Sequence, residues 1–244
     1  MMVRSPELGE FVGTLTMILL GDGIVAGVLL RRSKAENAGW LAITTAWAFA
    51  VLGGIFTANL FGSKDAHLNP AITLAFAVQT GDFAKCIPYT LAQVAGGFTG
   101  AILVWLQYLP HWRATEDTSL KLGVFCTSPA IRTYPANFLS ELIATCALIV
   151  ILGAISSKEV MSTGAVAGLS PLLTSCIVWG IGLGLGGTTG YAINPARDFG
   201  PRLAHAVLPI AGKGGSDWAY AWVPILGPFA GAALAGLVLR WIGA

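Results

Sequence analysis

Polar positions are sparse along this chain, and where they fall divides it into segments. Six stretches of about twenty residues or more carry almost no charge: Leu8–Leu30, Gly39–Leu60, Ala84–Leu109, Ala136–Ser156, Ala165–Gly186 and Trp218–Ile242. Roughly 20 mostly apolar residues suffice for a helix to cross the hydrocarbon core, so each stretch is expected to span a bilayer. Two further apolar stretches, Asn69–Gln79 and Asn194–Val207, are too short. About 11 helical residues rise only about 16 Å, half the hydrocarbon thickness. Each opens on Asn-Pro-Ala, and Asn is a preferred N-cap and Pro a preferred first helical residue. A helix start thus falls inside apolar chain. Non-helical backbone is tolerated at membrane depth only when buried in protein or lining a cavity, so these two stretches are expected to be re-entrant half-helices.

The two halves repeat. Glu10-Phe11-Val12-Gly13-Thr14 in the first span matches Glu141-Leu142-Ile143-Ala144-Thr145 in the fourth, and Asn69-Pro70-Ala71 recurs as Asn194-Pro195-Ala196. Residues 1–109 form one repeat and residues 136–244 the other. A polar linker, 110–135, joins them within one domain. With three spans in each half, the second half lies upside down relative to the first. That plan brings the half-helices together at the membrane midplane, where the functional site is expected. Glycines at spacing four (Gly9/Gly13, Gly96/Gly100, Gly182/Gly186, Gly227/Gly231) allow close helix approach and carry no functional weight by themselves.

Composition agrees with the spans. Only 11% of the 244 residues are charged, against about a quarter in a soluble domain. An all-α, multi-pass protein in a lipid bilayer is expected. The net charge of +2 is small and scattered, which argues against a nucleic-acid partner. The four cysteines form no CxxC pair and read as packing residues. His67, His111 and His205 have no ligand-spaced companions, so neither a metal nor a cofactor is expected. The N-terminal MMVRSPELGEF leads into a span without a small-residue cleavage site and reads as a retained first span. The chain contains no Asn-x-Ser/Thr sequon, in keeping with a bacterial source. With the N-terminus inside, that face carries Arg4, Lys64, Lys85, Lys158 and Arg240, and the other carries Arg31, Arg32, Lys34, Arg113, Lys121 and Arg132. The positive-inside rule favours the opposite orientation, so charge leaves orientation open.

Two opposed half-helix N-termini present unpaired N–H groups and partial positive charge. Asn69 and Asn194, capping them through their side-chain oxygens, keep amide NH₂ groups for the lumen. Such a site favours neutral, oxygen-bearing solutes over cations. Glu10 and Glu141 sit inside spans at equivalent places and admit two readings. They could relay protons, or accept hydrogen bonds from N–H groups freed in the re-entrant loops; the need of each such donor for a partner favours the second.

These paired motifs, and the sequence from Glu10-Phe11-Val12-Gly13-Thr14 to Pro224-Ile225-Leu226-Gly227-Pro228, make the chain resemble the major intrinsic protein (aquaporin) family over essentially its whole length. Within that family it most resembles the glycerol-facilitator branch, on Asp198 after Arg197, on Arg202, and on Pro224-Ile225. The resemblance implies Asn69 and Asn194 as donors at the pore midpoint and an acceptor ladder of carbonyls from Ala66, His67 and Leu68 and from Gly190, Tyr191, Ala192 and Ile193. It implies a narrow ring of Trp47, Gly182, Tyr191 and Arg197, in which Gly182 leaves room that a larger side chain would fill. It also implies support from Glu10, Glu141, Asp198 and Arg202, a homotetramer, and cytoplasmic termini in a bacterial inner membrane. Asp198, paired with Arg202 or with loop N–H groups, would hold the second loop; a solvated charge at a helix start explains it as well. Two departures stand out. Glycerol facilitators often carry Phe where Tyr191 stands, and the first loop, Ser63-Lys64-Asp65-Ala66-His67, is longer than usual; Lys64 and Asp65 read as solvated vestibule charges.

The expected activity is passive passage of glycerol and similar small neutral polyols, with water and urea as further solutes, and no enzymatic step. One alternative is a water-preferring channel. Another, of a different class, is a proton-coupled transporter or membrane enzyme using Glu10, Glu141 and Asp198.

Overall fold

A computed structural model describes residues 4–157 and 169–243. Ten helices account for the regular structure among the described residues: α1 (Pro6–Leu29), α2 (Gly39–Phe61), α3 (Pro70–Thr80), α4 (Cys86–Gln107), α5 (Leu109–Ala114), α6 (Thr118–Phe125), α7 (Tyr134–Ser156), α8 (Ser170–Gly184), α9 (Pro195–Val207) and α10 (Trp222–Ile242). Five of them, α1, α2, α4, α7 and α10, are long and apolar enough to cross a membrane. The expected fifth span is described only as the 15 residues of α8. Its expected start, Ala165–Gly168, lies outside the described residues, as do Met1–Val3 and Lys158.

Local chemistry sets the boundaries. Ser5 caps α1 by accepting from the Leu8 N–H, with Pro6 in the first turn. The half-helix α3 stops after 11 residues at Gly81, whose left-handed φ of 83° closes the C-terminus. The linker is less irregular than its composition suggests. It folds into α5 and α6, and Trp112 from α5 stacks on Phe125 of α6 with both rings buried.

Packing is matched between the halves. α1 packs against α2 and α4, and α7 packs against α8 and α10. Gly96 and Gly100 let α4 lie on the backbone of α1, and Gly227 and Gly231 do the same for α10 on α7. The half-helices cross over: α3 packs on α10, and α9 packs on α4. Apolar side chains such as Phe49, Phe56, Leu91, Leu139 and Leu237 remain exposed on the outside of the long helices, as expected of surface that meets lipid. Several buried polar residues, by contrast, bond to one another and to the two segments that lead into α3 and α9, among them Glu10, Ser63, Gln93, Glu141 and Thr189.

Candidate functional site

The two loops preceding α3 and α9 share one backbone pattern. Ala66 (φ 45°) and Leu68 (φ 53°) are left-handed, and so are Tyr191 (φ 41°) and Ile193 (φ 43°), at the same offsets before Asn69 and Asn194. Non-glycine residues in this region each cost about 1–2 kcal/mol, so something must hold them. Glu10 accepts from the His67 N–H (2.9 Å), the Leu68 N–H (2.7 Å), Ser63 Oγ (2.6 Å) and Gln93 Nε2 (2.7 Å). Glu141 accepts from the Ala192 N–H (3.0 Å), the Ile193 N–H (2.8 Å) and Thr189 Oγ1 (2.6 Å). Each buried glutamate thus gathers the N–H groups of one loop, turning the loop carbonyls the other way.

Asn69 caps α3 through the Ala71 N–H, and Asn194 caps α9 through the Ala196 and Arg197 N–H groups. Their amide nitrogens are not left wholly free. Asn69 Nδ2 donates to Ile193 O and Asn194 Nδ2 donates to Leu68 O, both at 2.8 Å. The two loops are therefore cross-braced, each by the other's asparagine. An amide carries two hydrogens, so one on each residue is left for the space between them.

That space is a cavity of about 340 Å³. Its lining includes Lys64 and Asp65, Asn69 and Asn194, and Trp47, Tyr191 and Arg197. A second depression lies against Trp40, Gly187 and Gly190. Arg197 sits with its guanidinium carbon 4.4 Å from the centre of the Trp47 ring. Tyr191 stands edge-on to Trp40 (centroids 5.6 Å apart), whose indole N–H donates to Gly182 O. Ala66, His67, Leu68, Ala192 and Ile193 also line the cavity, and Gly190 borders the depression beyond it.

Gly182 is absent from the cavity wall. A Cβ there would lie 2.8 Å from Tyr191 Cζ and 2.9 Å from Tyr191 Oη. The room it leaves is filled by the phenol, and Gly186 one turn on is covered by the same ring. Asp198 is fully buried. It accepts from Arg202 Nε (2.7 Å), Arg202 Nη2 (3.0 Å), and both the N–H and the hydroxyl of Thr127 (2.9 Å each). Arg202 also donates to the carbonyls of Ser216 and Thr127. The pair thereby ties α9 to the linker. Asp65, which also lines the cavity, is ion-paired to Lys85 (2.6 Å) and accepts from the Tyr89 hydroxyl (2.8 Å). Burial works against its charge, but those two hydrogen bonds more than offset it and hold the carboxyl below the usual carboxylate range. Asp65 is thus a paired charge rather than a freely solvated one.

One charged group beside the site was not expected from sequence. Asp22 of α1 is fully buried, with Oδ1 3.6 Å from Arg197 Nη1. An acidic residue inside an apolar span was the available signal. Trp40 and Thr127, which carry no such signal, were likewise not anticipated. Among the described residues no group of three or more His, Cys, Asp or Glu is placed to hold a metal ion.

Comparison with known proteins supplies a lineage for this geometry. The sequence model of the family described as "Major intrinsic protein" matches residues 4–239. The chain is 55% identical to "Glycerol uptake facilitator protein 3" of Lactiplantibacillus plantarum, over 96% of this chain and 95% of that one. It is 50% identical to a "Probable glycerol uptake facilitator protein" of Thermotoga maritima, over 98% and 99%. Among solved structures, it superposes on the aquaglyceroporin from Plasmodium falciparum with a TM-score of 0.81 at 25% identity, covering 98% of this chain and 96% of that one.

Proposed function

This chain belongs to the major intrinsic protein family, and on that premise we propose that it is a passive membrane channel for glycerol and similar small neutral polyols, with water and urea as further solutes. The observation that carries the reading is the cross-braced pair of asparagines lining one cavity together with Trp47, Tyr191 and Arg197. Asn69 and Asn194 are the midpoint donors, and the loop carbonyls are the acceptors. Trp47, Tyr191 and Arg197 are the constriction, with Gly182 as the bed on which Tyr191 lies. The apolar corner made by Trp47 and Tyr191 suits the CH₂ edge of a polyol, and the Arg197 fork suits its hydroxyls. A cation reaching the midpoint meets two helix N-termini.

The commitment of Glu10 and Glu141 to loop N–H groups supports a bracing role over a proton relay. Two inverted repeats, 1–109 and 136–244, account for the matched packing. A homotetramer in a bacterial inner membrane with cytoplasmic termini completes the proposal. Proteoliposome swelling tests it: glycerol should enter much faster than into empty vesicles, without a proton gradient and without saturation. Glycerol entry at the empty-vesicle rate alongside fast water flux would instead make this a water channel. Dependence on a proton gradient would favour a coupled transporter.

A further inference from the structure

Arg197 is the positive charge at the constriction, and three acidic side chains are buried near it. Two are already committed. Asp198 is bonded to Arg202 and Thr127, and Glu141 to the loop before α9. The third is Asp22. Neither of its carboxylate oxygens accepts a hydrogen bond from a described residue, and Arg197 Nη1 donates none. Their separation of 3.6 Å is beyond hydrogen-bond range and within ion-pair range. A buried charge without a partner is strongly unfavourable, so each member of this pair is the other's counter-charge.

The sequence around Asp22 builds the contact. A Cβ on Gly21 would lie 2.5 Å from the Trp47 ring, so that ring rests directly on the α1 backbone. The Arg197 guanidinium lies over the same indole. Trp47 and Asp22 therefore approach the guanidinium together, one from the passage wall and one from within α1. Asp22 is thus the counter-charge of Arg197 and Asp198 that of Arg202, while Glu141 accepts only from the neutral N–H and hydroxyl groups of its loop.

We propose that Asp22 is a specificity-determining residue: it neutralises Arg197, so that the constriction offers hydrogen bonds to neutral solutes without becoming an anion trap. Attraction between unit charges is strong where water is scarce. With Asp22 uncharged, Arg197 would hold a full positive charge beside the α9 N-terminus, where anions are already favoured. Small anions would then enter.

The proposal rests on the channel reading above, and its test separates the two. Purified wild type and variants are placed in proteoliposomes, and glycerol swelling is recorded first; failure of wild type there sinks the channel reading alone. Vesicles are then challenged with potassium chloride plus valinomycin, so that chloride entry limits swelling. Asp22→Asn, which keeps the shape, should raise chloride entry about tenfold or more over wild type. Asp22→Glu should keep it at the wild-type level. The double variant Asp22→Asn/Arg197→Gln should return it there. Wild-type chloride entry in an Asp22→Asn channel that still passes glycerol would overturn the proposal. So would chloride entry that persists in the double variant, since that is a hole rather than a charge effect. If Asp22→Asn does not fold, the double variant decides. Recovery of a folded, chloride-tight protein supports mutual compensation, and its failure to fold overturns it.

Discussion

Replacing Gly182 by alanine isolates the contact that positions Tyr191. The added Cβ would stand 2.8 Å from Tyr191 Cζ, 2.9 Å from its Oη and 3.0 Å from Thr44 Cγ2. Carbon atoms pack at about 3.5–4.0 Å, so the ring must retreat by roughly 0.7–1.2 Å. Its retreat is confined. Trp40 stands edge-on and is tied to Gly182 O, and the backbone on either side is fixed by the Gly190 N–H to Gly186 O bond and the Ala192 N–H to Glu141 bond. The cavity toward Arg197 is the open direction, so the ring moves into the passage. Overpacking costs about 1–3 kcal/mol, and a glycerol molecule must push the ring back against it. At about 1.4 kcal/mol per factor of ten, glycerol permeation should slow between about fivefold and a hundredfold. Water, which is narrower, should slow much less. The ratio of glycerol to water permeability in proteoliposomes reads this directly. Gly182→His should lower it further, and removing the ring with Tyr191→Ala in the Gly182→Ala background should restore it. Equal slowing of both solutes, or no rescue by Tyr191→Ala, would refute the placement of Tyr191 on Gly182 as the size-setting contact.

Three further outcomes follow from the same bonds. Glu141→Gln presents an NH₂ group to donors that need acceptors, losing at least one charge-assisted bond worth about 1.5–3 kcal/mol; thermal unfolding in detergent should show this, and water and glycerol flux should fall together. Arg202→Lys keeps the charge but cannot reach Asp198, Ser216 O and Thr127 O at once, so about 2–4 kcal/mol of stability should be lost; an unchanged melting temperature would contradict the clamp. The carboxyl of Asp65 titrates below its ordinary value, so the stability it lends is present at neutral pH and is lost as pH falls through that depressed value. The advantage of wild type over Asp65→Asn in thermal unfolding should therefore hold at pH 7 and close below about pH 4, and a pH-independent gap would exclude the pairing with Lys85 as its cause.

Much of this architecture is legible in the sequence because a bilayer reduces the choices. Long apolar runs must be helices, and their ends fell within a few residues of the expected ones, as with Gly39–Leu60 against α2. Asn-Pro-Ala marks a helix start by capping chemistry alone, and both caps form as expected. The linker helices were not legible, since six and eight residues are too few to carry a hydrophobic period. Asp22 is inconspicuous for a different reason. Acidic residues that recur between the halves mark themselves, and the offset that carries Glu10 to Glu141 carries Asp22 to Gly153. A residue that breaks the repeat has no counterpart to point to it. The crossing of Asn69 to Ile193 O and of Asn194 to Leu68 O was also out of reach, because it depends on how two distant loops meet.

That crossing bears on how charge is rejected. Leu68 O and Ile193 O are the carbonyls nearest the two asparagines, and each already accepts an amide hydrogen. A cation arriving at the midpoint thus finds one lone pair on each of those oxygens already used, together with remaining N–H groups and two positive helix ends. On the proposed reading a hydroxyl is treated differently: it accepts from the free asparagine hydrogen and donates to loop carbonyls further along. At the other end of the cavity the constriction is kept neutral by Asp22 against Arg197, which removes the attraction an anion would otherwise find there. Rejection of cations and of anions would then reside in separate places with separate residues. If so, Asn69→Asp and Asp22→Asn should fail in opposite directions, the first admitting small cations while remaining tight to chloride, the second doing the reverse. Admission of both ion types by either variant would mean a single shared barrier, and the division of labour would be wrong.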